Sequence, residues 1–451
     1  MTLRGLLLVI SSIILLAGCQ TAPPTVTAQS AESAAADKAL GKAIAQAKAS
    51  RQVAQTEPLP PPEDLWERIR RGLTWQTIHN AQIGASRDAF LRQPTYLPVV
   101  SERATLYLHY IVEEVERRGM PMEIALLPLV ESTLNPFAYS SQNAAGMWQV
   151  MPATAKHYGV ARNWWYDGRL DVRESTGFAL DYLERLHKEF DGDWMLALAA
   201  YNGGKGRVAR AIAKAEKNGK PTNYWALQLP RETTKYVPKL IALTAIIAYP
   251  EAFDVTIPDV ANAPAFEIVG TGGQIEMLRA AELAGMELKE FRRYNPGQLR
   301  WATSPDQPQE LLVPVGIGKR FELGVASLGP EDRVSWQHYR IRRGDSLISI
   351  ARRFDTEVGL LREVNNVRGN LIRAGDTMMI PDGSSWAESL ALAENSQDRV
   401  EKGYRVRSGD SLYGIAGKFN VTIDDIISWN SLNPRSYLQP GQRLTLYVSG
   451  G

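Results

Sequence analysis

The spacing of apolar positions divides the chain into three regimes. From Leu65 to about Tyr249 they recur at helical intervals, and from Phe266 onward short strand-like runs alternate with short helical ones. Between residues 20 and 62 large apolar side chains are scarce. In the helical regime Ser101 reads as the N-cap of a helix carrying Leu106, Tyr110, Ile111 and Val115, with Gly119 as its stop. A second helix follows after a very short link. Pro121 opens it, Ile124, Leu126, Leu127, Leu129 and Val130 fill it, and the Asn135-Pro136 pair stops it. Pro152 opens a short helix, and residues 163–167 form a loop. Asp171 caps a long helix with Val172, Leu183, Leu186 and Phe190 on one side. Asp193 caps the next, whose apolar run delivers Tyr201 and Asn202 to a break at Gly203-Gly204, where they face a cleft. A last helix from Arg231 to Tyr249, kinked at Pro238, presents Tyr236. No strand pattern of any length interrupts this stretch, so residues 63–255 are expected to form one mainly α domain.

The C-terminal third repeats itself. The segment starting at Tyr339 aligns with that starting at Tyr404, an offset of 65 residues, with 11 identities in 27 positions up to Asn365 and Asn430. Each copy reads as strand, helix, helix and closing strand, the helices being 347–354 and 358–364 in the first and 412–419 and 423–429 in the second. A third, worn copy runs from Phe266 to Pro314. It keeps Gly272-Gly273, Ala281, Leu288, Phe291, Asn295 and the run Leu311-Leu312-Val313-Pro314, but has lost the Gly-Asp-Ser of the other two. The connections 318–336 and 383–402 are polar and read as loose linkers.

Composition adds limits. At 451 residues the chain is too long for one core, and 44% hydrophobic with 22% charged residues is globular. A net charge of +2 carries almost no information about a polyanionic partner and is consistent with a glycan substrate; no nucleic-acid partner is expected. Five scattered His and a single Cys leave no ligand spacing for a metal, and neither metal nor cofactor is expected. The lone Cys19 ends a weakly basic, then apolar, then small-residue start, which reads as a secretory signal over residues 1–19. Residues 20–62, rich in Ala, Gln, Ser, Thr and Pro, cannot repay their ordering entropy and read as a disordered tether.

Candidate chemistry centres on Glu131, a lone acid at the end of an apolar helix. Burial disfavours its charged form, raises its pKa and makes it able to donate a proton near neutral pH. No second Asp or Glu stands in a comparable apolar setting; Asp167, Asp171, Asp191 and Asp193 read as loop, turn or cap residues.

Glu131-Ser132, then Gly146-Met147-Trp148-Gln149, then Ala200-Tyr201-Asn202 and a late Tyr236, in this order, resemble the lytic transglycosylases of the soluble-lytic-transglycosylase type, which share a fold with goose-type lysozyme. Those enzymes cut peptidoglycan glycan strands between N-acetylmuramic acid and N-acetylglucosamine. The resemblance implies that Glu131 is acid and then base, that Ser132 orients it, and that Ser140 and Gln149 hold substrate groups. It further implies that Tyr201 and Asn202 line the floor and that Tyr236 hydrogen-bonds at the reacting centre. Met147-Trp148 is expected as a sugar-stacking wall and Gly203, where Ala is common, as a minor change. The repeats resemble the LysM module, a small fold that binds N-acetylglucosamine. That points to Gly344, Asp345, Ser346 and Asn365 in the first copy (337–382) and to Gly409, Asp410, Ser411 and Asn430 in the second (403–449) as glycan-binding. The worn copy (264–316) is expected to be structural. Leu16-Ala17-Gly18-Cys19 resembles the lipobox of bacterial lipoproteins, implying lipid attachment at Cys19 and, with Gln20 next, an outer-membrane location facing the periplasm. The expected architecture is therefore multidomain: a mainly α lysozyme-like catalytic domain followed by small α+β LysM modules of βααβ form, in a monomer. Rival readings are a hydrolytic muramidase using the same glutamate and a non-catalytic wall-binding lipoprotein.

Overall fold

The structure, a computed structural model, describes residues 62–163, 165–305, 309–334, 336–354, 358–381, 399–407 and 441–449, with short or single positions at 38–43, 45–46, 356, 410, 415, 419, 426, 430 and 438–439. Cys19, Gly409 and Ser411 lie outside the described residues, as do most of the tether and the helices of the second repeat.

The helical domain comprises α1 (Leu65–Gly72), α2 (Ala81–Leu91), α3 (Tyr96–Arg117), a 3-10 turn (Met122–Leu126), α4 (Leu127–Ser132), α5 (Pro152–His157), α6 (Val172–Glu189), α7 (Trp194–Gly203), α8 (Lys205–Lys217) and α9 (Arg231–Ala248). Its two ends are stitched together. Asp64 caps α1 through the N–H groups of Trp66 and Glu67 and also accepts from Val260, while the Trp66 indole donates to the Pro258 carbonyl at 3.1 Å. At the centre lies α9, whose apolar face from Val237 to Ile247 is buried against α2, α7 and the 3-10 turn. Pro238 cannot donate to the Thr234 carbonyl one turn back, and the Tyr224 hydroxyl takes that carbonyl at 2.8 Å. The helix therefore runs through its proline.

Three expectations need correction. Ser101 is not an N-cap: α3 begins five residues earlier, and Ser101 is buried inside it. The helix opened by Pro121 is two pieces, a 3-10 turn and the six-residue α4, and it ends before Asn135-Pro136. Thr133 and Leu134 both take the left-handed conformation (φ 55°), with their N–H groups bonded to the Leu129 and Pro128 carbonyls. The segment 318–336 is not a loose linker, as shown below.

After residue 265 the chain builds antiparallel pairs closed over helices. β1 (Phe266–Gly270) pairs with β2 (Glu310–Pro314) in the register Phe266 to Pro314, enclosing α10 (Met277–Ala284) and α11 (Leu288–Tyr294). α12 (Gly318–Ser327) follows and buries Phe321 and Val325 in the same core as Val269, Phe291 and Val313. Those two residues anchor an otherwise polar stretch to the module, and α13 (Pro330–Arg333) follows directly. In the first repeat β3 (Trp336–Arg340) pairs with β4 (Thr377–Pro381) around α14 (Leu347–Arg353) and α15 (Val358–Val364); in the second, β5 (Arg399–Arg405) pairs with β6 (Arg443–Ser449). All three units share one fastening. Asn295, Asn365 and Asn430 each donate to a carbonyl four residues back and to a closing-strand carbonyl, and each accepts from a closing-strand N–H (Leu312, Met379, Thr445), at 2.6–3.2 Å. Among the described residues no helix is long and apolar enough to cross a membrane.

Candidate active site

Glu131 sits on the last turn of α4, held by two elements far away in sequence. From α9 the Tyr236 hydroxyl hydrogen-bonds its carboxylate. From α7 Tyr201 stands close enough for the Glu131 charge to help raise the tyrosine's own pKa. Burial is the largest influence on Glu131 and raises its pKa to about 7, against the opposing effects of the Tyr236 hydrogen bond and the Lys239 charge; Glu232 adds a small upward push. Burial likewise raises Tyr236 and Tyr201 well above the ordinary tyrosine value, so both are neutral donors. The group can thus hold a proton at neutral pH and release it into a partly accessible space.

The opposite wall is the segment 138–150. It folds back through bridges pairing Tyr139 with Ala145 and Ala145 with Val150. Gly146 has φ +78°, and a Cβ there would lie 1.9 Å from the Arg169 carbonyl, so no side chain fits. Ser132 donates to the Met147 carbonyl at 3.0 Å and Tyr201 to the Trp148 carbonyl at 2.8 Å, fastening the wall to both sides of Glu131. Ser132 therefore fixes the helix end bearing Glu131 rather than touching its carboxylate. Ser140 accepts from the N–H groups of Gln142 and Ala144, shaping the turn. Gln149, at φ 49°, donates to the Gly146 carbonyl at 2.9 Å. Asn202 accepts from Thr233 at 2.9 Å, and a Cβ on Gly203 would come within 2.7 Å of that same hydroxyl. The glycine after Tyr201-Asn202 is thus matched to Thr233 and is not a minor change in this chain. Left-handed non-glycine residues gather here: Thr133, Leu134, Asn143 and Gln149.

Two chemical expectations are corrected. Met147 and Trp148 are both 0% exposed, so neither presents a face to a sugar. The Trp148 indole points into the core and donates to Thr176 on α6 at 2.9 Å. Aromatic surface lies instead at Tyr139 and, on the turn before α9, at Trp225, 38% and 39% exposed. Sequence patterning misses both because neither lies on a periodic face. Other carboxylates also occupy buried settings: burial raises the pKa of Glu123, Asp171 and Glu174. Each serves the backbone, Glu123 through Thr74 and Trp75, Asp171 as the α6 cap and Glu174 through Ala161. None of the three is among the charges that act on Glu131.

In the first repeat Asp345 accepts from the Tyr339 hydroxyl at 2.7 Å and the Arg342 N–H at 2.8 Å, and Ser346 caps α14 through Ser349. Asp410 repeats the bonds to Tyr404 and Arg407. Ile348 and Leu371, 64% and 78% exposed, are apolar side chains that the repeat leaves in solvent.

A buried glutamate held by a tyrosine in a helical domain, followed by small units that share one asparagine fastening, is the arrangement of an acid–base enzyme with appended modules. Comparison with known proteins places it further. The family model described as transglycosylase SLT domain matches residues 110–223, that of the LysM domain matches 339–381 and 404–446, and that of the LysM-like domain of lytic transglycosylase MltD matches 265–328. The chain is 36% identical over 445 residues to membrane-bound lytic murein transglycosylase D of Escherichia coli (strain K12), covering 96% of each. It is 34% identical over 112 residues to the N-acetylmuramoyl-L-alanine amidase sle1 of Staphylococcus saprophyticus, 25% of this chain and 32% of that protein. Among solved structures, lytic transglycosylase Slt of Pseudomonas aeruginosa matches at 23% identity and a TM-score of 0.25, over 43% of this chain and 33% of that one. The chain belongs to the lytic murein transglycosylase D family.

Proposed function

We propose that Glu131 carries both proton transfers of an anhydro-forming cleavage at the N-acetylmuramic acid–N-acetylglucosamine bond. As an acid it protonates the bridging oxygen, and the bond from the muramic anomeric carbon to that oxygen breaks. As a carboxylate it then takes the proton of the same sugar's 6-hydroxyl, whose oxygen closes on the anomeric carbon. The product is a 1,6-anhydro end and no water is consumed. The observation that carries this reading is the burial of Glu131 against the Tyr236 hydroxyl, which raises its pKa to about 7 with only a small push from the Glu232 charge. A tethered nucleophile loses little further entropy, so one acid–base group suffices.

In this reading Tyr236 steadies the developing charge on Glu131, and Tyr201, Asn202, Ser140 and Gln149 shape the floor and wall that receive the sugars. Met147 and Trp148 act from behind as packing. In the LysM repeats the Gly344–Ser346 loop, with its counterpart 409–411, meets N-acetylglucosamine. Exposed Ile348 and Leu371 add apolar contact, while Asp345, Asp410, Asn365 and Asn430 hold the loops in shape. The chain works as a monomer on peptidoglycan, tethered through a lipid on Cys19 to the outer membrane on its periplasmic side. Glu131→Gln is expected to lower muropeptide release from sacculi by at least ~10³-fold with folding and sacculus binding retained; release near the wild-type rate removes Glu131 from the chemistry. Truncation before Trp336 weakens sacculus pull-down while soluble glycan oligomers are still cut, and unchanged pull-down contradicts the binding role of the repeats.

A further inference from the structure

The unit at 266–333 keeps the frame of the repeats and has closed the face on which they carry Gly-Asp-Ser. At the positions equivalent to Gly344-Asp345-Ser346 stand Gln274-Ile275-Glu276, and Ile275 is wholly buried in the module core. Three successive N–H groups entering α10 are taken by the chain itself. Ile275 donates to the Thr303 hydroxyl at 3.0 Å, Glu276 to the Arg333 carbonyl at 2.8 Å and Met277 to the Trp301 carbonyl at 2.6 Å; Thr303 N–H returns a bond to the Ile275 carbonyl. Segment 301–303 thus occupies the face that the first repeat leaves open at Gly344 and Ser346.

The same stretch of chain faces the helical domain. Trp301 packs on Trp165 with ring centroids 4.9 Å apart, Leu299 N–H donates to the Trp165 carbonyl at 2.8 Å, and Asp167 N–H donates to the Gly297 carbonyl at 3.0 Å. Asn163 donates to Ser304 at 3.1 Å, and Tyr166 pairs with Gln298. The loop so gripped ends in Asp167 and Arg169, both 1% exposed and joined by a two-point ion pair. Arg169 reaches on to the carbonyls of Asn143 (2.8 Å) and Val150 (3.3 Å), which bracket the Gly146–Gln149 wall of the candidate active site. Ser132 and Tyr201 then tie that wall to the surroundings of Glu131.

We infer that the 266–333 module is a positioning element of the catalytic centre, with Gly297 and Trp301 as positioning residues that act through the 163–169 loop and Arg169 on the wall facing Glu131. Its carbohydrate face has become an internal joint. A misplacement of about 1 Å at a reacting centre lowers rates by up to ~10²-fold, so a grip three contacts away is still felt in turnover.

The inference rests on the transglycosylase reading, and the test uses the chain from Gln20 onward. Gly297 is outside the left-handed region, and a Cβ there would meet the Tyr166 ring at 2.8 Å and the Asp171 Cβ at 3.0 Å, so Gly297→Val is a wedge driven against the loop. Turnover of soluble glycan oligomers per folded molecule, measured well below the melting temperature, is expected to fall about 10–100-fold with KM changed by less than about threefold and sacculus binding unchanged. Gly297→Ala falls between, Trp301→Ala loses turnover and Trp301→Phe restores most of it. If the valine variant does not fold, the alanine wedge and the Trp301 pair decide. Variants that melt lower but turn over like wild type per folded molecule make the module a stabiliser only and overturn the inference. An inactive wild-type chain removes the reading beneath it instead.

Discussion

Two tyrosine–carboxylate pairs in this chain have opposite electrostatic outcomes. Tyr236 donates to Glu131 in the helical domain, and Tyr339 donates to Asp345 in the first repeat. In both, the hydrogen bond favours the carboxylate. At Asp345 it is the largest influence, the Arg342 N–H and the Arg353 guanidinium add to it, and the pKa falls below the usual range. At Glu131 burial outweighs it and the pKa rises to about 7. The donor is the same; the solvent and the number of further donors differ. An acid that must change protonation belongs where water is scarce and partners are few. A carboxylate that only holds a loop belongs where partners are many.

Removing each donor sharpens the contrast. Tyr236→Phe deletes the bond that lowers the Glu131 pKa, so the acid stays protonated to higher pH. The alkaline limb of kcat/KM should move upward while the rate at pH 6 falls by about 100-fold, as for a lost transition-state donor. An unmoved limb would show that the two groups are not coupled. The next largest effect is on folding. Asn295 and Asn365 make the same three backbone bonds, but Asn295 is 5% exposed within the unit joined to the helical domain. Asn295→Ala should cost about 2 kcal/mol and lower the melting of the catalytic region, whereas Asn365→Ala should loosen only its own repeat. Equal effects on catalytic-region melting would erase the distinction between fused and free modules. Smallest of all, Tyr339→Phe should weaken sacculus binding slightly and leave cleavage of soluble oligomers untouched; a change in cleavage would break the comparison.

Burial of Glu131 also sets a stability trend. Its folded pKa is raised, so the stability it contributes is fully present below its unfolded value, near 4.5, and is lost as pH rises through about 7. Replacement by Gln should therefore raise the melting temperature above pH 7 and do little at pH 4, by about 2–4 °C if the relief is ~1 kcal/mol. A scan across that range checks it.

Local signals were legible before the structure. Asp171 and Asp193 cap their helices, Gly203-Gly204 ends α7, and Glu131 stands at the end of an apolar helix, whereas Tyr236 and Tyr201 beside it were implied only by the family resemblance. What was not legible depends on contacts remote in sequence. The direction in which Trp148 points is decided by Thr176, and the left-handed pair Thr133-Leu134 is stabilised by carbonyls that any short helix offers. Helix α8 was missed because it buries little beyond Val208 and Ala215, and α12 because two anchors in ten residues leave a polar-looking segment. The joint between the worn module and the helical domain is made largely of backbone bonds, to which side-chain identity gives no clue.

In the proposed cleavage Glu131 serves as acid and then base with no water consumed. The most direct measurement is mass spectrometry of the muropeptides that the chain from Gln20 onward releases from purified peptidoglycan. Products one water lighter than hydrolytic ones, with 1,6-anhydromuramic ends, are expected. Reducing muramic acid ends would contradict the proposed cleavage and make this site a hydrolase.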